Sequence, residues 1–93
     1  MLKNNDFIKR KVGDDVLLLP TGSTAQKFNG MITVSAVGES IWDQIEEVQS
    51  FEELVNRLEQ EYDADRQTIA ADCSAFLMQL LQSGLVRPSG EKW

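Results

Sequence analysis

The most informative absence in this sequence is histidine, which is the commonest general base and the commonest metal ligand in proteins. The only cysteine is Cys73, so the sequence offers neither an intrachain disulfide nor a cysteine-based zinc site. Glycine-rich phosphate-binding motifs and the GxSxG nucleophile motif are also missing. The many carboxylates fall on polar positions of predicted helices, which is typical of solvated faces. We therefore predict that the protein is not an enzyme, with no catalytic residue, no metal site and no cofactor.

Long apolar runs are missing too. None approaches the ~20 residues that span a bilayer, and the first residues do not resemble a signal peptide. A length of 93 residues with 42% hydrophobic content is typical of one globular domain. We therefore expect a single domain over residues 1–93, with its core at about 7–86 and a tail at 87–93. The lone cysteine favours a reducing compartment, so we expect a cytoplasmic protein that does not bind membranes.

Basic side chains are scarce where a nucleic acid would need them. The formal net charge is −6, and from Glu39 to Asp65 ten carboxylates accompany one basic residue, Arg57. A protein that binds DNA needs lysine and arginine against the phosphates. We therefore expect no nucleic-acid partner. A winged-helix DNA-binding domain and a general protein–protein adaptor remain as the alternative functions.

Strand signals are confined to the first third of the chain. Apolar and β-branched residues predict strands at 7–12, 16–19 and 31–34. The turn residues Gly13-Asp14-Asp15 lie between the first two, which predicts an antiparallel hairpin. The third strand leads directly into a helical pattern.

Three helices follow the strands. The first is expected to begin after Ser35 and to run to about Glu47, and the second to begin at Ser50, which opens a capping box. The third is expected to be capped by Asp65 and to end at Gly84, which suits a left-handed C-terminal position. Helices grouped after strands predict an α+β fold. We expect a winged-helix-like arrangement, with a three-stranded antiparallel sheet followed by three helices.

Three segments resemble the PqqD family, the small chaperones of pyrroloquinoline quinone biosynthesis. GMITVSAVGESIWDQIEE (30–47) resembles the strand-to-helix segment that typically reads LN..G..IW..L. FEELVNRLEQEYD (51–63) resembles the second helix, and IAADCSAFLMQLLQSGLV (69–86) resembles the closing DV..FL..L...GLI. Val34-Ser35 replaces the usual Leu-Asn, and serine also caps helices. Residues 47–49 replace the family's common Asp-Gly at the junction of the first and second helices.

The resemblance implies a RiPP recognition element, where RiPP denotes a ribosomally made, post-translationally modified peptide. Such a domain binds the leader segment of a precursor peptide and presents it to a modifying enzyme, often a radical S-adenosylmethionine enzyme. In this family the leader adds as an extra strand beside the third strand, in the groove next to the third helix. The implied partners are therefore a precursor peptide and a modifying enzyme.

The third strand is the first half of the expected peptide site. Residues 31–34 contain neither charge nor proline, the devices that usually protect a free sheet edge. This composition fits β-strand addition, although a merely solvated edge is the alternative. Proline scanning would distinguish residues whose N–H faces the ligand from those whose N–H faces the sheet. The outward set is either Ile32 and Val34 or Met31 and Thr33.

The third helix is the second half of the expected peptide site. A helical wheel centres Ile69, Cys73, Phe76 and Leu80 on the core, and one flank should line the groove. The flanks are Asp72, Ala75 and Gln79 on one side and Ala70, Leu77 and Leu81 on the other. We favour the first, because a small floor with polar rims suits a peptide. The predicted leader-peptide-binding residues are Met31, Ile32, Thr33, Val34, Asp72, Ala75, Phe76 and Gln79.

Two charged surfaces also have candidate roles. The run Lys9-Arg10-Lys11 on the first strand either protects that edge or forms a basic patch for acidic leader residues. The acidic faces of the first two helices are our candidate surface for the modifying enzyme. They carry Glu46, Glu47, Glu52 and Glu53.

Overall fold

The computed structural model describes residues 1–22 and 32–89. Its strands are β1 (Leu2–Lys3), β2 (Phe7–Val12), β3 (Asp15–Pro20), β4 (Ile32–Val34) and β5 (Val86–Arg87). Its helices are α1 (Ala36–Gln44), α2 (Phe51–Glu61) and α3 (Arg66–Gln82). The predicted α+β order is confirmed, since a three-stranded antiparallel sheet precedes three helices.

The main sheet has the strand order β2-β3-β4, and both pairings are antiparallel. Within the described ranges, β2 and β4 are therefore its two edges. Gly13 and Asp14 connect β2 to β3, and Val12 pairs with Asp15 across this two-residue turn. Gly13 has φ +62°, as the first central residue of a type II′ hairpin turn requires.

One face of the main sheet packs on the helices. Phe7, Leu18 and Val34 are its buried residues. The helices, the segments that link them and the residues that follow α3 contribute Ile41, Trp42, Ile45, Val48, Leu54, Val55, Leu58, Ile69, Cys73, Leu77, Leu80 and Leu85 to the same core. Truncating a fully buried leucine such as Leu18 or Leu80 to alanine is expected to cost about 2–5 kcal/mol.

The first two helices begin as the sequence predicts. The Ser35 hydroxyl accepts a hydrogen bond from the Gly38 N–H at 3.1 Å, and the Ser50 hydroxyl accepts one from the Glu53 N–H at 3.1 Å. The Glu53 carboxylate in turn accepts from the Gln49 N–H at 2.7 Å, one residue before the usual capping-box donor. These bonds satisfy donors that a helix N-terminus leaves free.

Two helix limits differ from the predictions. Helix α1 ends at Gln44, because residues 45–47 form a turn instead of continuing to Glu47. Asp65 holds the N-cap position of α3, but its side chain makes no capping hydrogen bond. Only its backbone carbonyl contributes, by accepting from the Ile69 N–H at 3.0 Å.

Helix α3 ends in a Schellman motif, as Gly84 predicts. Gly84 has φ +76°, its N–H donates to the Leu81 carbonyl, and the Leu85 N–H donates to the Leu80 carbonyl at 2.9 Å. The chain then forms β5, which pairs antiparallel with β1 in a second sheet. The sequence did not predict these two strands, because two residues are too few for periodicity to register.

Candidate functional site

The hairpin fixes which backbone groups of β3 face β4. A two-residue β-turn places a hydrogen bond between the residues that flank it, here Val12 and Asp15. Hydrogen-bonded and non-hydrogen-bonded pairs then alternate along an antiparallel ladder. Asp15, Leu17 and Leu19 therefore direct their backbone groups to β2, and Val16 and Leu18 direct theirs to β4.

This alternation identifies the outward-facing residue of β4. Val16 pairs with Val34, Leu17 with Thr33, and Leu18 with Ile32. The backbone groups of Ile32 and Val34 accordingly face β3, while the N–H and C=O of Thr33 face away from the sheet. No other strand of the described chain pairs with that side. Ile32 and Val34 are therefore not the outward set, and Thr33 faces outward as the other set expects. Met31, the second member of that set, lies outside the described residues.

A groove of about 520 Å³ lies between α1 and α3. Its α3 wall contains Asp72, Ala75, Phe76 and Gln79, the four helix residues predicted from the sequence. Its α1 wall contains Ser35, Val37, Gly38 and Ile41. Ser35 directly follows β4, so the groove begins where the open edge ends. Ile32, Thr33 and Val34 do not line it.

Gly38 sets how closely α1 approaches the site. A Cβ at this position would lie 3.2 Å from the Val34 Cβ and 3.4 Å from the ring of Phe76. The glycine thus lets α1 pack directly on the end of β4 and on one edge of the groove. A glycine within a helical pattern signals such close approach, so it could have revealed the α1 wall that the sequence reading missed.

The core face of α3 is rotated relative to the predicted wheel. Leu77 is buried, whereas Phe76 is only half-buried and lines the groove. The reason is that α2 covers the Leu77 side, where Phe51 lies against a small apolar cleft with Leu77 and Leu81. The prediction that Leu77 flanks the core and Phe76 lies at its centre is therefore wrong.

The charges around the groove are uneven. Asp72 is the one charged residue in the lining, and it forms no ion pair with any residue in 1–22 or 32–89. On β2, Lys9 is already engaged by α1, because its ammonium donates to Glu39 at 2.9 Å and to Asp43 at 2.9 Å. These bonds raise the pKa of Lys9, and the Lys9 bond lowers the pKa of the Glu39 carboxyl.

The remaining polar chemistry does not suggest catalysis. Burial raises the pKa of the Cys73 thiol to about 12, which leaves it protonated and unreactive at neutral pH. The described part of the chain contains no group of three side chains that could hold a metal ion. None of its helices combines the length and the apolar character that crossing a membrane would require.

Comparisons with known proteins support this fold. A family model described as "Coenzyme PQQ synthesis protein D (PqqD)" matches residues 15–86. Among solved structures, TbiB1 in complex with the TbiA(beta) leader peptide is similar, with 28% sequence identity and a TM-score of 0.72. The alignment covers 98% of this chain and 100% of TbiB1. The search of curated proteins gave no match.

Proposed function

We propose, because the chain belongs to the PqqD family, that it is a peptide chaperone that captures the leader segment of a ribosomally made precursor peptide. The leader adds to β4 as a fourth strand, and the protein presents it to a modifying enzyme. Members of this family are non-catalytic, in keeping with the chemistry expected from the sequence. Since ribosomes supply such precursors in the cytoplasm, the protein acts there.

The observation that carries the proposal is an open sheet edge beside a groove. Thr33 offers an N–H and a C=O to a new strand, and Asp72, Ala75, Phe76 and Gln79 offer a surface for its side chains. In β-strand addition, main-chain hydrogen bonds supply affinity and pockets for alternate side chains supply specificity. We expect a dissociation constant from high nanomolar to low micromolar, roughly −8 to −10 kcal/mol.

The similarity to TbiB1 supports the class of ligand. That protein was solved with a leader peptide, and it aligns with this chain over nearly its whole length. A radical S-adenosylmethionine enzyme is one candidate partner among the modifying enzymes that this family serves.

The partner enzyme would dock on a surface other than the groove. Of the four glutamates expected there, Glu46 accepts the Lys3 N–H and Glu53 accepts the Gln49 N–H. Charge reversal of those two would disturb the fold, so Glu47 and Glu52 are the better pair to change. Glu47 forms only an exposed ion pair with Arg57, worth about 0–1 kcal/mol. Reversing both should weaken enzyme binding and preserve leader binding.

The proposal is tested by selecting ligands from a displayed library of random peptides. We expect enrichment of peptides that perturb the NMR signals of residues 32–41 and 72–79. The best of these, termed the selected peptide below, should bind in the range given above. Failure to enrich any peptide, or enrichment only of peptides that bind elsewhere on the protein, would contradict the proposal.

A further inference from the structure

We infer that the leader carries an apolar side chain next to a basic one, and that Asp72 is the residue that selects the basic one. This inference rests on the proposed function and specifies the chemistry of the peptide. Its starting point is the groove lining, which contains the apolar side chains of Val37, Ile41 and Phe76, one carboxylate and no cation.

The expected apolar side chain of the leader follows from the groove lining. Val37 and Phe76 are half-buried in the free protein, and the fully buried Ile41 also belongs to the groove lining. A leader strand that continues past Ser35 presents every second side chain to this surface. Covering Val37 and Phe76 with an apolar side chain removes their remaining exposed surface from water, which is the main source of favourable free energy in such sites.

The expected basic side chain of the leader follows from Asp72. Its carboxylate is exposed on the rim and has no basic partner within the described residues. A leader arginine or lysine can form a charge-assisted hydrogen bond with it, and arginine can do so through two N–H groups. A leader carboxylate at the same place would be repelled, so Asp72 both attracts one class of peptide and rejects the other.

The surface beyond Ser35 carries an excess of negative charge, as the groove does. A second cavity of about 390 Å³ shares Ser35 with the groove, and its charged lining residues are Lys11, Asp14, Asp15 and Glu39. The single ammonium, that of Lys11, lies 3.7 Å from Glu39. With Lys9 bound by Glu39 and Asp43, this region favours a basic leader. The sequence-based alternative, in which residues 9–11 receive acidic leader residues, is correspondingly disfavoured.

The experiment repeats the library selection with the wild-type chain, Asp72→Asn, Asp72→Lys and the control Asp63→Asn. Asp63 is also an exposed aspartate without an ion pair in the described chain, but it lies outside the groove. Wild type and Asp63→Asn should enrich arginine or lysine at a fixed spacing from an apolar residue. Asp72→Asn should keep the apolar preference and lose the basic one, and Asp72→Lys should enrich acidic residues.

A double-mutant cycle then measures the pair directly, using the selected peptide and its copy with the basic residue replaced by glutamine. On the wild-type protein the replacement should weaken binding by about three- to tenfold, and on Asp72→Asn it should change affinity less than twofold. Equal losses on both proteins, or selected peptides without a basic preference, would overturn the inference while leaving the proposed function intact. If no selected peptide binds at β4 and the groove, the proposed function fails and the inference with it.

Discussion

The two edges of the main sheet differ in how they are protected. Edge strand β2 has six residues and carries the run Lys9-Arg10-Lys11, while β4 has three residues and no charge. By the hairpin alternation, Lys9 and Lys11 direct their backbone groups to the free side of β2, as Thr33 does on β4. Among the described residues, both edges therefore have unpaired backbone N–H and C=O groups. On β2 these groups belong to lysines, whereas β4 has no charged residue.

The lysines of β2 protect this edge of the sheet from pairing with another strand. Inward-pointing charges on an edge strand discourage pairing, because an approaching strand would have to desolvate them. Lys9 is held in this role by its hydrogen bonds to Glu39 and Asp43 on α1. The contrast indicates that the fold protects β2 from pairing with other chains and leaves β4 available for pairing. A peptide chaperone that works by β-strand addition requires such an available edge.

Blocking the groove beside β4 should have the largest effect. Ala75→Leu places a bulky side chain in the groove, whereas Ala71→Leu adds the same group to an exposed position of α3 outside the lining. Leucine and alanine have similar helix propensities, so both variants should fold normally. Titration of the selected peptide should show a loss of about a hundredfold for Ala75→Leu, or roughly 2.7 kcal/mol. A comparable loss for Ala71→Leu would contradict a groove-specific effect.

Proline variants should separate the two edges and the two sides of β4. Thr33→Pro removes an outward N–H, so the selected peptide should bind about tenfold more weakly while the fold persists. Lys11→Pro makes the matching change on β2 and should leave peptide binding unaltered. Ile32→Pro removes an N–H that faces Leu18, so it should lower the free energy of unfolding by about 1–3 kcal/mol.

Thermal unfolding and peptide titration of all three variants provide the comparison. If Thr33→Pro and Ile32→Pro lose stability equally, the alternation deduced from the hairpin is wrong. If Lys11→Pro weakens peptide binding as much as Thr33→Pro, β4 has no special role.

Removing the charges from β2 should make that edge self-associate. The double variant Lys9→Thr/Lys11→Thr gives β2 an uncharged free side, so two copies can pair there at high concentration. Sedimentation velocity should detect a concentration-dependent dimer, while Arg10→Thr, whose backbone faces β3, should remain like the wild type. A strictly monomeric double variant would show that the lysines do not protect the edge.

The smallest expected effect concerns pH. The folded pKa of Glu39 is lowered from its ordinary value of 4.5 by the Lys9 hydrogen bond. Its contribution to stability is therefore present above pH 4.5 and is lost as the pH falls through the lower folded pKa. Urea unfolding from pH 7 to 3 should show a shallower acid loss for Glu39→Gln than for wild type. Identical profiles would indicate that the Lys9 contact does not stabilise the fold.

Local features of the fold could be predicted from the sequence, whereas features set by packing could not. Ser35, Ser50 and Gly84 act within one helical turn, so their positions alone identified helix limits. The rotation that buries Leu77 depends on where α2 lies, which the wheel of α3 does not contain. The outward role of Thr33 required both the turn length and the register of β3 against β4.

Only one wall of the candidate site could be predicted from the sequence. Asp72, Ala75, Phe76 and Gln79 could be placed on one wall, because helical spacing groups them and the family resemblance selects that helix. The opposite wall, which includes Val37 and Ile41, exists only because α1 crosses close to α3. Helical periodicity marked these two residues as apolar, but it could not distinguish a groove wall from the core.

The most direct test of leader addition to β4 is residue-resolved amide hydrogen exchange with and without saturating selected peptide. In the free protein the Thr33 amide should exchange fast, while those of Ile32 and Val34, which face β3, should exchange slowly. If the leader adds to β4, the peptide should slow exchange at Thr33 and leave exchange at the outward-facing amides of Lys9 and Lys11 on β2 unchanged. An unchanged rate at Thr33 under saturation, or new protection on β2 instead, would contradict leader addition to β4.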